Sequence, residues 1–397
     1  MKRIARFVLL AVLAASVASV EAGNVWLNWT GAKANIDIAW SAAGYSAGQA
    51  MTTAEYDAFR ANVKSKMDTH WAGFNATFLE TNPGGLFETL RFGSTTGSSG
   101  LLGQAERLDW RNRFKDDIAN LYLANFGGMI NAGTFTRAEN LERLANAVAG
   151  TASHELGHNC GLQHYDCYGQ DNINAPLYSG ITGQQNDAIM ATGNTGLTLF
   201  RRGLPRSFNP LETMKLEFAD GFAPTLGQTV TEMVGAHGSI ATAQEVFGTT
   251  LPISGRSAVN IDGGISANGQ ADYYSFQTTV GSLIVGNIFS AFWESDTVDT
   301  VLTLYNNVGT QVATNNNIAY TSTTFGGSGT YSQDSIILNF QAAYSGVYYM
   351  AVRGNGSSTG NYELLLAGAN PVPEPATMLA LGAGVALLLR RRKRQAA

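Results

Sequence analysis

Three of the five histidines in this 397-residue chain fall in one run of eleven residues, His154-Glu155-Leu156-Gly157-His158-Asn159-Cys160-Gly161-Leu162-Gln163-His164. No other feature limits the fold as strongly. His154 and His158 stand four apart, which places both imidazoles on one face of a helix. Gly161 ends that helix, because glycine reaches positive φ without steric cost. The chain then turns back and brings in His164. Three imidazoles suit a zinc ion held at about 2.0–2.1 Å with a fourth position left open. Glu155 projects beside them without being needed as a ligand. It is placed to take a proton from water and pass it to a leaving group. The expectation is one catalytic Zn2+ on His154, His158 and His164, with Glu155 as general base and acid. A helix with surface histidines and no metal is the competing reading, and the clustering of so scarce a residue weighs against it.

The extended pattern resembles that of the metzincin metallopeptidases, which also carry a downstream methionine turn. Ile189-Met190-Ala191-Thr192-Gly193 is the candidate turn here. The resemblance implies that Met190 forms an apolar floor beneath the histidines. Taken alone, Met190 reads as an ordinary core methionine. Thr192 stands where many members of the family have a tyrosine, so no tyrosine is assigned to the oxyanion. Phe74-Asn75-Ala76-Thr77-Phe78 and Asn82-Pro83-Gly84 are similar to a strand and turn that precede the active helix in such peptidases. An edge strand in that region would pair with an extended peptide substrate. The implied reaction is hydrolysis of peptide bonds, and the implied partner is a protein or peptide substrate.

The two ends read as export signals. Lys2, Arg3 and Arg6 precede an apolar run and a small-residue site near Ala22, the pattern of a secretory signal peptide. A buried N-terminal helix is the alternative. At the other end stand Pro373-Glu374-Pro375, the apolar stretch Met378 to Leu389, and Arg390, Arg391, Arg392, Lys393 and Arg394. This arrangement resembles the PEP-CTERM sorting signal of Gram-negative bacteria. The resemblance implies signal peptidase and an exosortase-like sorting enzyme as transient partners. It also implies delivery to the outer surface or the extracellular medium, with residues 376–389 as a transient inner-membrane anchor. Without residues 1–22 and 371–397 the chain keeps 17 basic and 28 acidic residues, a net charge of −11. Such a chain has no basic field to neutralise phosphates, which excludes nucleic acid as a partner.

Cys160 and Cys167 are the only cysteines, and they flank His164. In an exported protein such a pair is expected to oxidise and hold the third ligand in place. A zinc-ligand or switch role for a cysteine is the alternative. Asp109, Asp116, Asp117 and Asp166 read as surface carboxylates rather than calcium ligands. His70 and His237 read as structural or solvent-exposed.

The intervening sequence divides into unlike parts. Residues 24–40 alternate apolar and polar and predict a strand or hairpin. Residues 53–71 and 136–159 have helical spacing, the second opening with a Thr136/Glu139 capping box. Residues 258–368 are short strand-like runs separated by Gly, Asn and Ser turns, a β-sandwich pattern. Asp272-Tyr273-Tyr274-Ser275-Phe276, Asp299 to Tyr305 and Ser345 to Val352 resemble the bacterial pre-peptidase C-terminal (PPC) domain. Asp272 and Asp299 are candidate Ca2+ ligands there, and exposed aromatics such as Trp293 are candidates for contact with an extracellular matrix polymer.

The expected fold class is therefore α+β. It comprises a signal peptide (1–22), a metzincin-like zinc peptidase domain (23–225), a linker (226–257), a PPC-like β-sandwich (258–368) and a sorting segment (371–397). The expected function is that of a secreted zinc metalloendopeptidase. The alternative is a non-catalytic or self-processing-only surface or matrix-binding protein on a peptidase-like scaffold.

Overall fold

The structure, a computed structural model, describes residues 23–95, 100–168, 187–191, 197–233, 235, 237–290, 298–316 and 334–371. It is a mixed α+β fold with several sheets. The expected signal peptide (1–22), the apolar tail, Thr192 and Trp293 lie outside the described residues.

Alternation in Gly23–Asn28 sends Val25 and Leu27 inward and makes this segment β1. The run does not continue as a strand. Helix α1 (Ala32–Ala42) follows, because Ile36, Ala39 and Trp40 form a buried helical stripe while Ile38 is exposed. Helix α2 (Thr53–His70) buries Tyr56, Phe59, Val63 and Met67, and a Thr52/Glu55 capping box opens it. Strands β2 (Ala76–Leu79), β3 (Glu88–Arg91), β4 (Gly103–Ala105) and β5 (Ile118–Leu121) join β1 in the order β2-β1-β3-β5-β4. All pairings are parallel except that of β4, the antiparallel edge strand.

Helix α3 (Arg137–Asn159) packs against this sheet and against α2. Thr136 caps it, accepting from the Glu139 amide while the Glu139 carboxylate accepts from the Thr136 amide. From Arg143 onward every residue of α3 is buried. Two short helices, α4 (Leu199–Arg202) and α5 (Pro210–Leu216), complete this part.

The C-terminal part holds two sheets around a common core. Its strands are β6 (Thr229–Thr231), β7 (Gln244–Glu245), β8 (Thr249–Thr250), β9 (Ser257–Ile265), β10 (Ala271–Thr278) and β11 (Leu283–Phe289). They continue with β12 (Thr300–Tyr305), β13 (Gln311–Asn315), β14 (Ile336–Gln341), β15 (Gly346–Gly354) and β16 (Gly360–Ala367). One sheet has the order β13-β12-β15-β10-β7, the other β14-β11-β16-β9-β6, with β8 on β9. The stretch expected as a linker, 226–257, thus contributes β6, β7 and β8 to these sheets.

The second sheet is covered on both faces. In β11, Ile284 and Ile288 face the inter-sheet core, while Val285 and Phe289 join the core of the N-terminal part. In β16, Leu364 and Leu366 face one way and Leu365 and Ala367 the other. Trp110 stacks on Phe289 at 4.2 Å, and its Nε1 donates to Asn260 Oδ1 at 3.1 Å. Arg111 and Arg113 both reach the Glu363 carboxylate.

Candidate metal centre

Helix α3 ends in a Schellman turn. The Gly161 amide donates to His158 O at 2.9 Å and the Leu162 amide to Gly157 O at 2.8 Å. Gly161 has φ 88°, and a Cβ there would stand 2.7 Å from Trp110 Cα. The turn swings the chain back into the 3-10 segment His164–Tyr168, which carries His164 over the end of α3.

The three Nε2 atoms of His154, His158 and His164 form a triangle with every side 3.1 Å. Behind them, His154 Nδ1 donates to Ile189 O at 2.8 Å and His158 Nδ1 to Leu162 O at 2.7 Å. A carbonyl only accepts, so both Nδ1 atoms carry the proton. Burial drives His158 down to about 3, and His154 and His164 well below the usual imidazole range. The rings are therefore neutral, and the Nε2 atoms of His154 and His158 present lone pairs to a common point. That is the donor set of a cation site, and His154, His158 and His164 are one of two groups of residues among the described ones able to hold a metal ion.

Glu155 is buried beside the triangle, and its Oε2 accepts from the Ala105 amide of β4 at 2.9 Å. A side chain at Gly103 would collide with this carboxylate, its Cβ lying 2.5 Å from Oε1. Burial raises Glu155 to about 8. Met190 is fully buried against Gly157, where an added Cβ would lie 3.1 Å from its Sδ. The Met190 amide donates to Glu212 Oε1 at 3.2 Å.

Two residues that the sequence reading passed over support this centre. Arg206 donates through Nη1 to Ile189 O at 3.1 Å, the same carbonyl that orients His154. It lies against α3 because Gly150 has no side chain, an added Cβ there falling 2.4 Å from Nη2. Lys215 of α5 pairs with Asp166 at 2.6 Å, both fully buried, two residues after His164. Asp166 also accepts from the Gln163 amide at 2.8 Å. Neither contact has a local sequence signal, since the partners are 17 and 49 residues apart. Asp109 and Asp117, expected on the surface, are buried, and burial raises each to about 7.

The expected disulfide is corrected: Cys160 and Cys167 are both buried and no disulfide joins them. Burial, with the carboxylates of Glu88, Asp109 and Asp117 nearby, holds the Cys160 thiol well above its usual range. Little thiolate is then available for oxidation, and the Lys215–Asp166 pair anchors the His164 segment instead.

Asp272 and Asp299, the candidate Ca2+ ligands, share no group of three or more potential metal ligands among the described residues. Asp272 joins Glu232 and His237 in the second group able to hold a metal ion. The Asp299 carboxylate accepts from Asn355 Nδ2 at 2.9 Å. His237, expected to be structural or exposed, is buried in that group.

The membrane anchor is also corrected. No helix among the described residues is long and apolar enough to cross a membrane. Residues 376–389 lie outside the described residues. Anchoring in the inner membrane is withdrawn, and sorting for export stands on its own motif.

A search of curated proteins finds no match. Among solved structures, the chain is similar to the crystal structure of Aeromonas hydrophila PliG, a periplasmic lysozyme inhibitor of g-type lysozyme. The identity is 10% over 35% of this chain and 96% of that one, with a TM-score of 0.21, a likeness too slight to support an argument. Residues 371–394 match the PEP-CTERM protein-sorting motif, which implies recognition by an exosortase-like sorting system.

Proposed function

We propose that this chain is an exported zinc-dependent endopeptidase, with a metzincin-like catalytic part and a PPC-like β-sandwich. The observation that carries the reading is the 3.1 Å triangle of Nε2 atoms, two of them deprotonated by their carbonyl contacts. Zinc fits this donor set: tetrahedral bonds of 2.0–2.1 Å require nitrogens about 3.3 Å apart, a small expansion of the triangle. When bound there, zinc polarises the scissile carbonyl and lowers the pKa of water.

The protein's own residues do the rest. Ile189 O and Leu162 O hold the rings of His154 and His158 in one tautomer. Glu155 takes the proton from the attacking water at a carboxylate oxygen and returns it to the departing nitrogen. The Ala105 amide keeps that carboxylate oriented. Strand β4, at the sheet edge beside Glu155, has no second strand partner among the described residues, and an extended peptide would pair with it there. Met190 and Gly157 pack beneath the ligands and fix the helix against the following loop.

The test is Glu155→Gln beside the wild type, with zinc content and peptide hydrolysis measured on both. The variant should retain zinc and lose about 10²-fold or more in turnover. Full activity in the variant, or no zinc-dependent hydrolysis by the wild type, would overturn the assignment.

A further inference from the structure

We propose that Glu232, His237 and Asp272 form a second metal site, one that takes a divalent transition cation and clamps the edges of the two C-terminal sheets together. Glu232 follows β6, on the edge of one sheet, and Asp272 lies on β10, next to the edge of the other. His237 comes from the connection between β6 and β7. The candidate ligand atoms all lie within 4.8 Å of one another.

The histidine carries the argument. His237 is 2% exposed, and its Nε2 is fully buried without a hydrogen-bond partner. Its Nδ1 donates to Gly235 O at 3.1 Å, which fixes the ring with Nε2 turned toward the two carboxylates. Nε2 faces Asp272 Oδ1 at 3.4 Å and Glu232 Oε2 at 3.9 Å. A buried imidazole nitrogen and two carboxylate oxygens directed at one point form a donor set that a dication fits.

The surroundings support ligand roles. Asp272 Oδ2 accepts from Tyr362 OH at 3.0 Å, and Oδ1 accepts from Gln270 Nε2 at 2.9 Å. Tyr362 is in turn bonded to Tyr274 OH at 2.6 Å, and Glu232 Oε2 accepts from the Gly264 amide at 3.0 Å. Each prospective ligand is thus fixed by an outer partner, as bound imidazoles and carboxylates are. Glu232 and Tyr362 also border a cavity of about 700 Å³. The nitrogen donor sets the metal class: one imidazole with two carboxylates suits Zn2+ or Mn2+, whereas Ca2+ prefers oxygen throughout. Two carboxylates also balance the charge of a dication.

The site is separate from the histidine triangle, so its test does not depend on peptidase activity. The full chain, stripped with a chelator, is titrated with Zn2+, Mn2+ and Ca2+ in separate arms. Bound metal and melting temperature are read for the wild type, His237→Gln, Glu232→Gln and the double variant His154→Ala/His158→Ala. The wild type should take up two equivalents of Zn2+. Both single variants should take up one and lose part of the metal-dependent rise in melting temperature. The double variant should keep the equivalent held by His237. Glu232→Gln, at the more exposed ligand, serves if His237→Gln fails to fold. A double variant that binds no transition metal would overturn the proposal. A rise in melting temperature with Ca2+ but not with Zn2+ or Mn2+ would overturn the metal class.

Discussion

Gly161 does two jobs in one residue. Its φ of 88° closes the end of α3, and the absence of a Cβ admits Trp110, whose Cα would otherwise lie 2.7 Å away. Gly161→Ala meets both objections and should cost on the order of 1–3 kcal/mol of stability. The turn also sets the Leu162 carbonyl that orients His158 and the approach of His164. Zinc affinity should therefore fall along with the urea midpoint. A variant with wild-type zinc affinity and midpoint would show that the turn is not under this constraint. At this scale the sequence was informative, because the spacing of His154, His158, Gly161 and His164 encodes a helix, its end and a return. The disulfide was misread because two cysteines flanking a ligand resemble a staple. Burial keeps Cys160 a thiol, and the carboxylates whose charge adds to it, Glu88, Asp109 and Asp117, are at least 43 residues away in the chain.

Among elements, α5 is the one whose purpose the sequence conceals. It reads as a short helix opened by Asn209-Pro210, and Asn209 caps it, accepting from the Leu211 and Glu212 amides. Its consequential residue is Lys215, which reaches Asp166 at 2.6 Å in a fully buried pair behind His164. A buried charge that loses its partner is costly, about 3–5 kcal/mol. Lys215→Met should show that cost in denaturant unfolding and weaken zinc binding by loosening the His164 segment. Replacing both partners, as Asp166→Leu/Lys215→Met, should recover part of the loss, since no lone charge then stays buried. The recovery is incomplete because the Gln163 amide loses its acceptor. A double variant no more stable than Lys215→Met would rule out this account. Helix α1 marks the other limit of pattern reading. Ile36, Ile38 and Trp40 alternate as a strand would, and only the burial of Ile36, Ala39 and Trp40 with Ile38 outside reveals the helical period.

Across the whole molecule, the sheet of β14, β11, β16, β9 and β6 decides how the parts depend on one another. A sheet buried on both faces reads as continuous apolar runs, and Ile336-Ile337-Leu338 and Leu364-Leu365-Leu366 are such runs. The sequence shows the runs but not what covers the second face. That cover is the N-terminal part, which meets Val285, Phe289, Leu338 and Leu365 in its own core. The C-terminal part is thus a structural wall of the candidate metal centre's domain, with Trp110 as the joint. Trp110 touches the Gly161 turn, stacks on Phe289 and bonds Asn260. Removing a buried ring of this size by Trp110→Ala should cost about 3–5 kcal/mol. Because both cores share that surface, thermal unfolding should be one transition, with near-UV and far-UV circular dichroism coincident. Residues 23–225 expressed alone would expose the apolar surface that Phe289 and Leu365 cover, and should be insoluble or unfolded. Two separate transitions, or a soluble and folded 23–225 fragment, would show instead that the C-terminal sheets are a detachable module.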